Sequence, residues 1–403
     1  MQNKNVKKLR IALIAPQPFV DIRGTCMANL RIIQVLAGAG HEIDVITYPF
    51  GSAPEFPCVN VYRCRPIPFV HSVRIGFSFA KVFLDLKLAL LALKLIRAKR
   101  YDCVHGVEEG AFIGGILARL AGIPAVYDMD SVLSHEIAGS PIGKFPPVVW
   151  FVRAVENWAI RKAALVVTIS DSMAAYVRQI DPLKDIAVVP DTPVPMPAAT
   201  DRDATRATAQ MPYEFHGRKL ILYTGSLAGY QGLDLLISAM ASVTANTPEA
   251  VLVIIGGDEQ GIRRLSKLAK TDGVMGNLLF MGKKPLDQIP DFLSAADVLV
   301  SPRRGGINPP AKIYTYMQSG KPIVATDVPA HTTVIGRDAA VLVKATSEGI
   351  AEGILWVFAH PGEADQKAVR AKEIVGEITP GLQARRILDA YEILAVKTFK
   401  NSR

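Results

Sequence analysis

The segment VLVSPRRGGINPPAKIYTYMQSGKPIVATD, residues 298–327, decides the fold class of this chain. Its apolar run 298–300 predicts a buried strand, and a glycine-rich loop follows. Gly320 predicts the end of a short helix, and residues 323–326 are typical of a second buried strand. Strand, helix and strand in this order indicate a parallel βαβ unit.

The loop and the helix start of this segment have features that favour an anion. Arg303 and Arg304 place two positive charges directly after the strand. Asn308 is a favourable N-cap and Pro309 suits the first helical position, so we expect the helix to begin there. Its unpaired N–H groups, its positive dipole end and Lys312 in the first turn favour a phosphate or diphosphate. An ordinary βαβ unit with solvated arginines would show the same pattern.

Short apolar strands alternate with helix-length segments along the whole chain, which predicts parallel sheets with helices on both faces. The candidate strands are 11–15, 42–47, 59–63, 103–105, 125–127, 165–169 and 186–189, then 220–223, 251–255, 278–281, 298–301, 323–326 and 341–343.

A stretch rich in Pro, Ala and Thr, residues 191–212, separates the two groups of strands and marks a domain boundary. We therefore expect one domain over 1–198, a second over 210–380, and a C-terminal helix over 381–403 that packs across the domains.

The composition limits the class of partner. The chain has 403 residues and a net charge of +9, which favours an anionic partner. Aromatic residues are only 7 % and interleave with no basic run, so nucleic acid is disfavoured. The four cysteines form no CxxC pair and are expected to be reduced core thiols of a cytoplasmic protein. The sequence shows no signal peptide and no apolar run of about 18 residues, so we expect no membrane-spanning helix.

Further glycine-rich loops follow other predicted strands. Residues 225–232, GSLAGYQG, lead from a strand into a helix, as do Arg23, Gly24 and Thr25 in the first domain and the GGD motif at 256–258. Neither domain has G-x-G-x-x-G directly after its first strand, which excludes a typical nicotinamide dehydrogenase, and no Walker A motif is present.

These motifs together resemble those of the family-4 retaining glycosyltransferases of the GT-B fold. The specific blocks are LYTGSLAGYQGLDLL and residues 301–327, and the looser ones are RGT, GHEIDVITY, YDCVHGVEEG, VYDMDS and LVVTISDSM. The resemblance implies an α/β protein with two doubly wound parallel-sheet, Rossmann-like domains facing a central cleft. It also implies sugar transfer from a nucleoside diphosphate sugar to an envelope, lipid-linked or exopolysaccharide acceptor, with retention and with no metal or other cofactor.

The chain departs from the family pattern at five positions. Ile307 and Thr315 occupy the places of two glutamates that lie eight residues apart in most members. Ser226 and Gln231 replace the arginine and lysine that contact the diphosphate, and Asp130 replaces a histidine.

Two accounts fit these departures. In the first, Arg303 and Lys312 take over the neutralisation of the diphosphate and Thr315 bonds the ribose. In the second, the chain binds a sugar nucleotide without turning it over. A non-hydrolysing sugar-nucleotide epimerase is a third alternative, although Ile307 and Thr315 remove two candidate carboxylates.

We assign roles to residues as hypotheses. The candidate catalytic residues are Asp130, Arg303 and Lys312. The candidate substrate-binding residues are Gly24, Thr25, His105, Glu109, Gly225, Ser226, Gln231, Gly232, Gly257, Asn308, Ile313 and Thr315, and His331 is a further candidate contact to the base or sugar. Plainer roles remain open: a capping aspartate for Asp130, a first-turn helix acid for Glu109 and a buried hydrogen-bonded side chain for His105.

Two segments of the first domain suit a membrane surface. Residues 80–100, AKVFLDLKLALLALKLIRAKR, form an amphipathic basic segment whose ordinary role is to bury one face against the sheet. Residues 145–153, FPPVVWFVR, carry large apolar groups. Contact with the inner face of the cell membrane is therefore a further hypothesis.

Overall fold

The computed structural model describes residues 8–18, 24–51, 55–68, 70, 79–138, 141–193, 196 and 217–400, with the backbone alone given for 24, 25, 27, 79, 141 and 396–400. The chain divides into two compact units. Unit 1 comprises residues 1–190 and 380–403, and unit 2 comprises residues 191–379. Most of the predicted boundary stretch 191–212 lies outside the described residues.

Unit 1 is built on a seven-stranded parallel sheet with the order β3-β2-β1-β4-β5-β6-β7. Its strands are β1 Arg10–Ala15, β2 Glu42–Thr47, β3 Val59–Arg63, β4 Cys103–Val107, β5 Ala125–Met129, β6 Leu165–Thr168 and β7 Ile186–Val188. Its helices are α1 Gly24–Gly38, α2 Phe79–Ala98, α3 Gly110–Ala121, α4 Leu133–Ala138, α5 Pro146–Lys162 and α6 Asp171–Ile180, with a 3-10 turn at Pro141–Lys144.

Unit 2 is built on a six-stranded parallel sheet with the order β10-β9-β8-β11-β12-β13. Its strands are β8 Lys219–Thr224, β9 Ala250–Ile255, β10 Leu278–Gly282, β11 Val298–Ser301, β12 Ile323–Thr326 and β13 Val341–Val343. Its helices are α7 Leu233–Asn246, α8 Glu259–Thr271, α9 Ile289–Ala295, α10 Ala311–Ser319, α11 Pro329–Thr332, α12 Ser347–Ala359 and α13 Pro361–Gly376. Short 3-10 turns lie at Gly229–Gln231, Met275–Asn277 and Leu286–Gln288.

The inner strands of both sheets are buried on both faces, which explains why they are continuous apolar runs in the sequence. In β1, Ile11 and Leu13 pack with α1, whereas Ala12 and Ile14 pack with α2 and α3. The predicted strands are confirmed, with ends that differ by at most two residues. The sheets and helices of both units give the GT-B architecture that the resemblance implied.

The C-terminal helix α14, Pro380–Lys400, packs against α1 and β7 of unit 1. Tyr391 and Leu394 join the same apolar core as Ile11, and the Gln383 side-chain amide donates to the Pro190 carbonyl at 2.9 Å. The helix therefore belongs to unit 1.

Three of the four cysteines are buried, as expected of core thiols, but Cys58 is exposed. Cys58 lies in the turn that leads into β3, where its φ is 63°, and it is not part of the strand. The prediction that all four are core thiols is wrong at this residue. No helix within the described residues is long and apolar enough to cross a membrane.

Candidate active site

Loops after neighbouring strands of unit 2 meet because glycine permits a very close approach. Gly232, with a φ of 73°, follows the 3-10 turn Gly229–Gln231, and a Cβ atom there would lie 2.0 Å from the Pro302 carbonyl oxygen. A Cβ atom on Gly256 would lie 2.2 Å from the Gly225 carbonyl oxygen. Only glycine fits at these two positions, so the loops after β8, β9 and β11 form one cluster.

Lys312 is the central cation of this cluster. It lies in the first turn of α10, where its Nζ donates to Gln231 Oε1 at 3.2 Å and lies 3.7 Å from the ring centroid of Tyr223. Burial, and then the positive charge of Arg303, hold the pKa of Lys312 well below its usual value. An anion at this site would relieve both effects, because it supplies the opposite charge that the neutral amide and ring do not.

Arg303 is the second cation, and only 6 % of its surface is exposed. Its Nη1 donates to the Asn308 carbonyl at 2.7 Å, and the guanidinium lies 5.1 Å from the ring centroid of Tyr230. Arg304 is different, since its side chain is half exposed and forms an ion pair with Asp234. The sequence predicted two positive charges for an anion, but Asp234 neutralises one of them.

A chain of hydrogen bonds fixes the backbone that carries Arg303. The Thr326 hydroxyl donates to the Arg303 carbonyl at 2.5 Å, and His331 Nδ1 lies 2.8 Å from the Thr326 carbonyl. That carbonyl can only accept, so Nδ1 carries the proton and Nε2 accepts from the Ser301 hydroxyl at 2.8 Å. Burial lowers the pKa of His331 to about 4, which keeps the ring neutral at pH 7.

Several predictions about this cluster need correction. Helix α10 begins at Ala311 and its N-cap is Pro310, so Asn308 is not the cap and Pro309 is not the first helical residue. Both residues precede a proline, a position at which helical angles are disfavoured. His331 has no exposed surface, and its ring hydrogen-bonds to Ser301 and to the Thr326 carbonyl. It is therefore not placed to contact a base or sugar. Ile313 is also fully buried, in the apolar core, and cannot touch a ligand there.

The amide of Gly225 is a further correction. It donates to the Ile255 carbonyl at 2.9 Å, so it continues the sheet and is not available to a phosphate. Ser226 is the next residue of the loop after β8, and its carbonyl accepts a hydrogen bond from Tyr223 Oη at 2.7 Å. A Cβ atom on Gly257 would lie 2.2 Å from the Leu227 side chain, so packing explains the glycine at this position.

Thr315 lies on α10 three residues after Lys312 and is 7 % exposed. Its neighbour Tyr316 reaches back to β8, where Tyr316 Oη accepts from the Thr224 amide at 2.8 Å. This bond fixes α10 against the strand that precedes the glycine loop. Sequence reasoning missed Tyr223 and Tyr316, because tyrosines near a strand end and inside a helix have the pattern of core residues. It also missed Tyr230, which lies in the 3-10 turn Gly229–Gln231 and has the pattern of an ordinary loop residue.

In unit 1, His105 is a structural residue. It is completely buried, and its Nδ1 lies 2.6 Å from Tyr391 Oη while Nε2 lies 3.2 Å from Asp128 Oδ2. The prediction that His105 binds substrate is therefore wrong, since protein groups occupy both ring nitrogens.

Acidic side chains gather after β4 and β5. Glu108 adopts a φ of 47°, which is uncommon for a residue with a side chain, and its Oε1 accepts from the Ser131 hydroxyl at 3.2 Å. Burial, and then the Glu136 carboxylate, raise the pKa of Glu108 to about 7. Asp130 lies partly buried one residue after β5, and Glu109 precedes α3 and pairs with Lys81.

The predicted loop after β1 is described only in part. Gly24 is the first residue of α1, whereas Arg23 and the side chain of Thr25 lie outside the described residues. Among the residues that are described, no group of three or more His, Cys, Asp or Glu side chains is placed to hold a metal ion.

Comparison with known proteins agrees with this architecture. A family model described as "Glycosyl transferase 4-like domain" matches residues 24–192, and one described as "Glycosyl transferases group 1" matches residues 218–360. The chain belongs to the group 1, family-4-like glycosyltransferases of the GT-B fold.

Curated relatives are distant but extend over most of the chain. A 2-deoxystreptamine N-acetyl-D-glucosaminyltransferase of Streptomyces fradiae is 27 % identical over 308 residues, 71 % of this chain and 70 % of that protein. A phosphatidyl-myo-inositol mannosyltransferase of Mycolicibacterium smegmatis is 24 % identical over 395 residues, 96 % of this chain and 94 % of that protein.

Solved structures share the fold. Sucrose-phosphate synthase from Thermosynechococcus elongatus has a TM-score of 0.79 and 20 % identity, covering 97 % of this chain and all of that one. HepE of Anabaena in complex with UDP-glucose has a TM-score of 0.72 and 17 % identity, covering 95 % of this chain and 99 % of that one.

Proposed function

We propose that this glycosyltransferase moves a sugar from a UDP-sugar to an envelope, lipid-linked or exopolysaccharide acceptor, with retention of configuration and without a metal. The observation that carries the proposal is the pair of basic side chains, buried Arg303 and half-buried Lys312, that lie beside a glycine loop. A diphosphate supplies the charge that such a pair needs. The UDP-glucose complex of HepE, a protein of the same fold, supports the choice of nucleotide.

The position of Lys312 favours an active variant of the family site. The resemblance places the usual lysine at residue 231, where this chain has glutamine, and Lys312 Nζ lies 3.2 Å from that glutamine's amide oxygen. Lys312 of α10 thus supplies a cation beside residue 231, where the lysine of the family pattern is missing. In the same proposal Thr315 bonds the ribose, and unit 2 holds the donor.

The proposed chemistry is stabilisation of a leaving group. As the bond between the sugar C1 and the diphosphate oxygen breaks, that oxygen takes the electron pair, and Arg303 and Lys312 face the developing charge. The acceptor hydroxyl oxygen bonds to C1 and loses its proton. We assign Asp130 of unit 1 as the group that receives this proton or orients the sugar.

A transfer assay tests the proposal. The protein is incubated with radiolabelled UDP-hexoses and a panel of lipid-linked and polysaccharide acceptors, and labelled product is counted. We expect transfer from at least one UDP-hexose, and a loss of about a hundredfold or more in Arg303→Ala and Lys312→Ala. Arg304→Ala is the matched control, because this neighbouring arginine points away to Asp234 and its loss should leave transfer unchanged.

The second candidate function is a sugar-nucleotide-binding subunit without turnover, which the replacement of both usual glutamates by Ile307 and Thr315 favours. Binding of UDP without transfer to any acceptor would support it. A protein that binds no nucleoside diphosphate would contradict both candidates. The epimerase alternative predicts a changed sugar in the donor itself, which chromatography of the recovered donor detects.

A further inference from the structure

Three helices of unit 1 lie side by side on one face of its sheet. Helix α2 packs on β1 and β2 and contacts α3, and α3 in turn contacts α5. The α3–α5 contact is close, since a Cβ atom on Gly115 of α3 would lie 3.3 Å from the Trp158 ring of α5. The outward sides of these helices therefore form one surface, which we call the α2–α3–α5 surface.

This surface is unusually apolar. Helix α2 buries Leu84, Leu88 and Ala92 against the sheet, yet its opposite side is also hydrophobic. Thirteen large apolar side chains are exposed among the described residues, and nine of them are on α2 and α3 or at the start of α5. These nine, each more than half exposed, are Val82, Phe83, Leu86, Leu90, Ile116, Leu120, Phe145, Trp150 and Phe151. Such a concentration marks a surface that is covered when the protein works.

The exposed charges on the same helices are all positive. Helices α2, α3 and α5 contain only two acidic residues, and both are withdrawn from the surface. Asp85 accepts a hydrogen bond from Tyr48, and Glu156 is fully buried and accepts from Ser134 at 2.6 Å. The exposed basic residues are Lys94, Arg97, Arg119, Arg153, Arg161 and Lys162.

We infer that the α2–α3–α5 surface docks onto an anionic lipid bilayer. The apolar side chains suit the boundary between headgroups and acyl chains, with Trp150, Phe145 and Phe151 at the level of the headgroups. The basic residues suit the negative lipid headgroups. A second copy of the chain fits poorly, because a symmetric dimer would place two such positive surfaces against each other.

Vesicle sedimentation at low salt tests this inference. The full-length protein is mixed with vesicles of phosphatidylcholine alone or of an equimolar mixture of phosphatidylcholine and phosphatidylglycerol. We expect pelleting with the mixed vesicles only. The double variant Lys94→Gln and Arg97→Gln should bind roughly thirtyfold more weakly, about fivefold for each lost charge. The double variant Trp150→Ser and Phe151→Ser should also lose binding.

Matched controls lie elsewhere on the molecule. Lys267→Gln with Lys270→Gln removes two exposed charges of α8, and Leu183→Ser with Val369→Ser removes two exposed apolar groups. Both should pellet like the wild type. Equal pelleting of the surface variants and the controls, or no pelleting of the wild type, would overturn the inference. So would light scattering showing a wild-type dimer that Trp150→Ser and Phe151→Ser convert to a monomer. A thermal shift with UDP, measured on the same variants, shows that unit 2 is intact and keeps this test separate from the proposed function.

Discussion

The side chains of Gln231 and Lys312 meet across 81 residues of sequence, with 3.2 Å between the amide oxygen and the ammonium nitrogen. The hydrogen-bond partner of this half-buried lysine is thus neutral, and both desolvation and the positive charge of Arg303 favour loss of its proton. We expect a diphosphate bound as proposed to reverse this preference, because it adds negative charge. The proposal therefore links nucleotide binding to protonation of Lys312.

The first prediction concerns pH. The pKa of Lys312 is lowered in the free protein, and we expect a bound diphosphate to raise it. Binding should then take up a proton, so UDP affinity should fall as the pH rises above the Lys312 pKa of the free protein. Calorimetric titrations in buffers of different ionisation enthalpy measure the uptake directly. Lys312→Arg keeps the charge at every accessible pH, so this part of the uptake and of the pH dependence should disappear. Uptake that is the same in Lys312→Arg would contradict the link.

A second prediction exchanges the two residues. Lys312→Gln should weaken UDP binding by at least tenfold, because a charge-assisted hydrogen bond is worth about 1.5–3 kcal/mol. Adding Gln231→Lys returns a cation to the same place from the other loop, so the double variant should regain part of the affinity. Calorimetric titration of both proteins gives the comparison, with Lys267→Gln as an exposed control on α8. If the double variant binds UDP no more tightly than Lys312→Gln, the proposal that a cation at this position contacts the diphosphate is contradicted.

The third prediction concerns acid stability. The pKa of His331 is about 4 in the folded protein and 6.5 in the unfolded chain, so the folded state prefers the neutral ring. Its contribution to stability is present above pH 6.5 and is lost as pH falls towards 4. His331→Ala should lower the free energy of unfolding at pH 7 by about 1–3 kcal/mol, since Ser301 and the Thr326 carbonyl lose their buried partner. Its melting temperature should then depend less on pH over this range, which scanning fluorimetry measures.

The fourth prediction concerns Glu108, whose effect on stability changes with pH in the direction opposite to that of His331. The pKa of Glu108 is raised to about 7 from an ordinary value of 4.5, so its ionisation opposes folding increasingly as pH rises from 4.5 to 7. Glu108→Gln should stabilise unit 1 above pH 7, by about 3 kcal/mol at most at 1.36 kcal/mol for each pKa unit. Glu363→Gln, an exposed carboxylate of α13, is the control and should change little. Destabilisation by Glu108→Gln at pH 8 would contradict the raised pKa.

The fifth prediction tests how α14 is held. Tyr391→Phe removes the hydroxyl that lies 2.6 Å from His105 Nδ1 and leaves a buried ring nitrogen without its partner. We expect a loss of about 1–3 kcal/mol in stability. Ile393→Ala, at an exposed position of the same helix, should cost less than about 0.5 kcal/mol. Hydrogen exchange of α14 should accelerate in Tyr391→Phe and not in Ile393→Ala.

The sequence predicts the sheets well because parallel strands are buried on both faces and appear as uninterrupted apolar runs. It predicts Arg303 and Lys312 as a cationic pair because both lie near the end of one strand, within ten residues of each other. It fails at the start of α10, where the cap is Pro310 and not Asn308, because a residue that precedes a proline disfavours helical angles.

Other features depend on contacts between distant parts of the chain. His105 and Tyr391 are 286 residues apart, and Arg304 pairs with Asp234 at a separation of 70. No local sequence pattern shows that Tyr391 gives His105 a structural role, or that Asp234 neutralises the charge of Arg304. The chain of bonds from Ser301 through His331 and Thr326 to Arg303 is similar, since each residue alone has the pattern of an ordinary strand or turn residue.

The central claim is that Arg303 and Lys312 hold a diphosphate, and calorimetric titration with UDP and with uridine tests it most directly. We predict that the wild type binds UDP at least a hundredfold more tightly than uridine, and that Arg303→Ala with Lys312→Ala removes most of this difference while uridine affinity changes little. Retention of the full preference for UDP by the double variant would contradict the claim.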